Sequence, residues 1–284
     1  MLFKNVSEDL KEVIDYNYTS ELSEWLENKI NDIISNESTK DLYLTYSLIA
    51  SKIDTTKELL IPNKDSETSQ YLSNHQANYL ELGRIYILVK VLEANKEFFT
   101  SKVSNIIQIA DTTELETFLK YLILLPNPES FKSVAVDTLR TNITPVFDAI
   151  SLNNPYPALY FDDKQWNQMY LKAAFLQRDL SAIVDIDKRA NKDLARIISD
   201  YAHERWAASR DVLPYFWRPV GKFIDDSLLE DMKRLFESPN EKEQIAAALC
   251  CSLSDNNKAK DLFNENRILR QKVEQHLINW DTIK

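Results

Sequence analysis

The chain has 284 residues, 44% of them hydrophobic, enough to bury a core in one large domain or two small ones, so global disorder is excluded. Its net charge of −10, from 34 basic and 44 acidic residues, repels phosphate backbones and anionic lipid and argues against nucleic-acid binding. Only Gly83 and Gly221 occur where average usage gives roughly twenty glycines, which rules out a Walker loop, a dinucleotide fingerprint and a nucleophile elbow and argues against a hairpin-rich sheet.

From the N-terminus, the acidic Glu8 and Asp9 arrive before any apolar run, so no signal peptide is expected and a cytoplasmic location follows. Amphipathic helices are expected from about Ser7, Ser20, Thr39 and Ser66. A long one should run from Glu67 to Asn95, apolar from Leu80 to Leu92 as a central helix is. The most apolar run, Ile85 to Leu92, contains Lys90 and is too short to cross a bilayer. Thr113 with Glu116 reads as a capping box ahead of Leu115, Phe118, Leu119 and Leu122. Asn127-Pro128 places a cap residue before a proline at the first helical position.

The segment Asn153 to Phe161 has two prolines and three rings and is expected to be non-helical through Pro155 and Pro157, either packing in the core or bordering a pocket. Further starts are expected at Asp162 with Gln165, at Asp226, and at Ser238-Pro239 with Glu241. The adjacent Cys250 and Cys251 point about 100° apart on a helix and read as two small core residues of a reducing compartment rather than a bridge. No strict alternation marks a strand, and no motif repeats at a fixed period. The expected class is all-α, with irregular antiparallel helical pairs of a HEAT-like or α-solenoid-like kind, forming a single domain over 1–284.

Three histidines, His75, His203 and His276, are too far apart for a His-rich metal site, and His203-Glu204 lacks the second imidazole of a zinc helix because Ala207 stands there. No metal or cofactor is expected. At 100° per residue, Leu194, Ile197, Ile198, Tyr201 and Ala208 share a face with Arg205 in their midst. Arg205 should therefore be buried and paired, as a clamp on a neighbouring loop or as the floor of a polar pocket. Ser199, His203, Trp206 and Arg210 fall on a second face beside Ala195 and Ala202, suited to a helix contact or to an aromatic, weakly anionic ligand. Asp193, Arg196, Asp200 and Glu204 form the solvated edge, with Arg196 and Asp200 placed to pair. In Trp217-Arg218-Pro219-Val220-Gly221 the glycine suggests a turn with positive φ. No nucleophile and base stand at a diagnostic spacing.

The wording of Leu139-Arg140-Thr141-Asn142, of NPYPALYFDDKQWNQMYLKAAF (154–175), of DKRAN (187–191), of DYAHERWAASR (200–210) and of WRPVG (217–221) resembles the EboA family. AAALCCSLSD (246–255) and the terminal Trp280-Asp281-Thr282 are similar to that family's ending, whereas the first 110 residues carry no such wording and are read only as a helical N-terminal part. The resemblance implies a cytoplasmic helical component of a bacterial metabolite-trafficking system that moves small-molecule precursors toward the periplasm, among them an aromatic sunscreen-pigment precursor. It implies partners from the same gene cluster, which also encodes a UbiA-type prenyltransferase, and it brings no catalytic residues. Ser209-Arg210-Asp211 departs from the family's turn, where glycine is expected, so the helix end there should be shaped differently.

The preferred function is a non-catalytic binding or scaffold protein that holds an aromatic or prenylated metabolite, or pathway proteins, in a groove near residues 140–221. The ligand-binding residues expected are Arg140, Asn142, Tyr156, Trp166, Lys172, His203, Arg205, Trp206, Arg210, Trp217 and Arg218. The alternatives are an enzyme acting through carboxylates such as Asp200 and Glu204, and a pure protein-interaction adaptor.

Overall fold

A computed structural model describes residues 3–54 and 57–284. Helix accounts for 73% of the described residues, and no strand occurs among them. Contacts divide the chain into two compact units, Met1–Ile150 and Ser151–Lys284.

The first unit holds α1 (Val6–Asn17), α2 (Ser20–Ser35), α3 (Thr39–Leu48), α4 (Glu67–Asn74), α5 (Tyr79–Ala94), α6 (Lys96–Ser104), α7 (Ile106–Ile109), α8 (Thr112–Lys120) and α9 (Lys132–Thr138), while α10 (Thr144–Ser151) ends at the boundary. The long helix expected from Glu67 is in fact two. Gln76 turns left-handed, and Asn78 with Glu81 forms a capping box that starts α5 afresh. This helix is central as its composition requires: every residue from Leu82 to Val89 is buried, and it packs on α1, α2, α3, α6 and α8.

A charge is enclosed within that packing. Arg84, 1% exposed, bonds the Tyr46 carbonyl and Thr113 Oγ1 at 3.3 Å each and lies 3.5 Å from Glu114 Oε1. Helix α8 starts two residues before the sequence reading: Asp111 caps it, and Glu114 closes the box. That choice of cap aims Glu114 at Arg84.

The second unit holds α11 (Tyr156–Tyr160), α12 (Asp163–Phe175), α13 (Ile186–Arg189), α14 (Lys192–Ala207), a 3-10 helix over Pro214–Phe223, α15 (Asp226–Phe236), α16 (Glu241–Ser252), α17 (Asn257–Glu265) and α18 (Arg267–Glu274). The capping box of Asp162 with Gln165 opens α12 as expected. Helix α15 is capped by Asp225 and α16 by Asn240, one residue before and two residues after the expected positions.

The 155–157 segment corrects the sequence reading, because α11 runs through Pro157. Both prolines sit at the helix start, where no intrahelical donor is needed. The Arg189 guanidinium closes the other end, donating to the carbonyls of Pro157, Ala158 and Phe161 at 3.2, 2.8 and 2.9 Å. It also pairs with Asp163 and lies 5.0 Å from the Trp166 ring centre.

Gly221 is a further correction: no glycine has positive φ. It is required instead by close approach, since a Cβ there would lie 2.9 Å from the Cys250 carbonyl oxygen. Left-handed helix ends are made without glycine. Glu37, Gln76, Gln177, Ser209 and His276 each have positive φ just past a helix. In each case the residue's own N–H and the next one reach back to the last turn, as Ser209 and Arg210 do to the carbonyls of Trp206 and Arg205, both at 2.9 Å. Cys250 and Cys251 are free, buried in α16, and burial raises both thiols, Cys251 to about 12, so neither is a reactive thiolate.

Candidate functional site

Helix α14 carries the residues from which a site can be built. Asn191 caps it by accepting from the Leu194 N–H at 2.9 Å, and also exchanges side-chain hydrogen bonds with the buried Asn167 of α12, at 2.9 and 3.1 Å. Leu194, Ala195, Ile198, Ser199 and Ala202 are buried, and Asp193, Arg196, Asp200 and Glu204 are exposed. Arg196 and Asp200 share the edge but form no ion pair.

Two clefts flank the C-terminal part of this helix. The first, about 430 Å³, is lined by His203, Trp206 and Ala207 of α14 and by Glu230, Asp231 and Arg234 of α15. Asp231, whose side chain is 2% exposed, accepts from Ser199 Oγ at 2.6 Å and stands 2.6 Å from Nε2 of the exposed His203 ring. Trp206 lies nearly parallel to the buried Trp217 at 5.8 Å, and the Arg234 guanidinium lies 4.2 Å from the Trp206 ring centre. A buried carboxylate thus fixes an exposed imidazole at the rim of a cleft walled by an indole and a guanidinium.

The second cleft, about 660 Å³, lies where the chain leaves α14. Its lining includes Tyr201, Arg205, Arg210, Asp211, Leu213 and Phe216. Phe216 meets Tyr201 edge-on at 5.2 Å and stacks on Tyr170 at 5.5 Å. Arg205 is only half-buried, and its partner is a backbone carbonyl rather than a carboxylate: Nε and Nη2 donate to the Asp211 oxygen at 3.0 and 2.8 Å. It is therefore a clamp on the turn, and the cost of an enclosed charge does not arise. Arg205→Ala should lower the unfolding free energy by about 1–2 kcal/mol and Arg196→Ala by about 0.5 kcal/mol or less; equal losses in urea melts would contradict the clamp.

Arg210 does not share a face with His203 and Trp206. The helix ends at Ala207, and Ser209 turns left-handed, so the wheel no longer applies and Arg210 is carried into the second cleft. Ser209 adopts the left-handed conformation that glycine favours.

The other expected residues separate by role. Tyr156, Trp166 and Trp217 are core, each at most 1% exposed. Arg218 binds Asp187 through Nε and Nη2, at 2.8 and 2.6 Å, and Tyr215 through Nη1. The bond to Asp187 raises its pKa above the usual guanidinium range and ties the 3-10 helix to α13. Lys172 is half-buried, and burial lowers its ammonium pKa. Arg140 and Asn142 belong to the first unit and are exposed, Arg140 pairing with Asp137 at 3.7 Å. Neither cleft includes a residue of 153–161, and Asp200 and Glu204 line neither. Asp231 and Arg234 were missed, although a carboxylate three residues after Leu228 and next to Met232 carries the same signal that singled out Arg205.

Among the described residues, no helix is long and apolar enough to cross a membrane. A family model described as metabolite traffic protein EboA matches residues 6–221. The match thus takes in residues 6–110, within the part that the resemblance left unassigned, and stops at the glycine that seats the 3-10 helix on α16. No curated protein and no solved structure matches the chain.

Proposed function

Because the chain belongs to the EboA family of metabolite traffic proteins, we propose that it is a non-catalytic binding component of a trafficking system, holding a small molecule in the cleft at the end of α14. In this reading it works in the cytoplasm, takes up an aromatic or prenylated precursor, and passes it to other proteins of the same system for movement toward the periplasm. The observation that carries the reading is the cleft of about 660 Å³, in which the half-buried Tyr201, backed by the fully buried Phe216, offers ring surface beside the guanidinium groups of Arg205 and Arg210. An apolar wall with a few convergent polar groups is what small-molecule sites share.

The test is a thermal-shift and titration screen of aromatic and prenylated metabolites. A ligand at a hundred times its Kd should stabilise the fold by about 2.7 kcal/mol. Leu213→Trp, which fills the cleft from an exposed position, should abolish that shift. Binding that survives this change places the site elsewhere. No binding at all, with a pathway protein co-purifying, favours the adaptor.

One observation favours a second reading, as an enzyme. With Nε2–H turned to Asp231, His203 has Nδ1 available as a base at the first cleft. Turnover of any bound metabolite that His203→Gln stops would establish it.

A further inference from the structure

Five of the eleven arginines in this acidic chain are seen matched with carboxylates: Arg84 with Glu114, Arg140 with Asp137, Arg189 with Asp163, Arg218 with Asp187 and Arg270 with Glu274. Arg205 and Arg210 are not. Neither forms an ion pair among the described residues, yet both line the same cleft, whose lining has one carboxylate, that of Asp211. Among the described residues Arg196 and Arg267 also lack carboxylate partners, but they line neither cleft, and Arg234 is laid on Trp206.

Helix-end capping does not account for the two cleft arginines. The carbonyls of Arg205 and Trp206 already accept the backbone N–H groups of Arg210 and Ser209, so the Arg210 side chain is not needed there. Arg205 turns Nε and Nη2 to the Asp211 carbonyl, and among the described residues its Nη1 donors and the exposed Arg210 fork have no partner. Two guanidinium groups against one carboxylate make a local excess of positive charge in a protein of net charge −10, and a cleft concentrates that field. A guanidinium fork matches the planar geometry of a carboxylate, giving two parallel charge-assisted hydrogen bonds. Beside it, the half-buried Tyr201, held edge-on by the buried Phe216, presents ring surface to a flat apolar body.

Resting on the reading of this cleft as the metabolite site, we infer that its ligand is an aromatic carboxylate, with the acid group held by Arg210 and by Nη1 of Arg205 and the ring against Tyr201. The acid gives orientation, and the ring gives apolar contact. Asp211 excludes a ligand of high negative charge, because its own carboxylate shares the lining.

The experiment is calorimetric titration of the full chain with 1-naphthylacetate and 1-naphthylacetamide, which share a ring and differ in charge. The acid should bind at least about tenfold tighter than the amide, the size expected for a charge-assisted hydrogen bond. Arg210→Gln should remove that preference while the amide's affinity stays unchanged, Arg210→Lys should retain part of it, and raised salt should weaken the acid alone. Equal binding of acid and amide overturns the inference and leaves the cleft as a metabolite site. A preference that persists undiminished in Arg210→Gln also overturns it, because the carboxylate is then held elsewhere. Failure of both probes to bind, in a variant-free protein that melts cooperatively, removes the reading of the cleft and the inference with it.

Discussion

Arg84→Ala should lower the unfolding free energy by about 3–5 kcal/mol, the cost of leaving a buried carboxylate without its cation. Both partners are enclosed, with side chains 2% and 7% exposed. Glu114 cannot swing out to water, because its Oε2 accepts the Asp111 N–H at 3.0 Å and its backbone carbonyl accepts the Tyr46 hydroxyl at 2.8 Å. The guanidinium is also 5.4 Å from the Tyr46 ring centre, so its loss opens a gap beside that ring. Arg84→Met with Glu114→Gln removes both charges while keeping volume, and should recover more than half of the loss. Urea melts of the two single variants and the double variant measure this. A loss below about 1 kcal/mol for Arg84→Ala would mean that the pair is solvated, as surface pairs are.

Gly221→Ala should cost about 1–3 kcal/mol, the range for overpacking a filled core. The added methyl would meet the Cys250 carbonyl oxygen at 2.9 Å, Leu253 Cβ at 3.1 Å and Cys250 Cα at 3.2 Å. These are backbone atoms of α16 or the Cβ of its C-cap residue, and no rotamer change moves them. The 3-10 helix cannot simply lift, since the Cys250 thiol donates to the Trp217 carbonyl at 3.2 Å and Trp217 is fully buried. Gly83→Ala is the internal comparison. Its methyl meets the tip of Ile49 and the Tyr18 hydroxyl, flexible or terminal atoms, and alanine gains about 1 kcal/mol of helix propensity. Thermal melts should rank Gly221→Ala as the more damaging of the two, and the reverse order would show that the contact of the 3-10 helix with α16 is soft.

Helix content was legible because caps and 3.6-residue stripes recur along the chain, and one box, Asp162 with Gln165, was placed to the residue. Where several adjacent residues can cap, local sequence does not choose among them. Asp111, Thr112 and Thr113 all qualify, and the choice of Asp111 follows from the distant Arg84, which needs Glu114 in the box. The rule that an ionic group within an apolar stripe must be paired was sound, yet it was applied to Arg205 when Arg84 and Asp231 met it better. Arg205 sits in the last turn, where the chain end admits water, whereas Arg84 is flanked by apolar residues in a helix buried on every side. Arg210 was misplaced because a helical wheel has no meaning beyond Ser209. The prolines of 155–157 were read as breakers, although at a first turn they cost the helix nothing.

The glycine-free helix ends bear on the chain before it folds. Each of Glu37, Gln76, Gln177, Ser209 and His276 holds a left-handed conformation that costs a side-chain-bearing residue roughly 1–2 kcal/mol in the folded state. The same side chains restrict the unfolded backbone, which with two glycines in 284 residues visits fewer conformations than an ordinary chain of this length. The strain is confined to a handful of turns, while the stiffness is spread over the entire disordered ensemble. Folding therefore begins from a poorer set of alternatives, and a helical protein that stores local strain at its corners loses less entropy on reaching its native form.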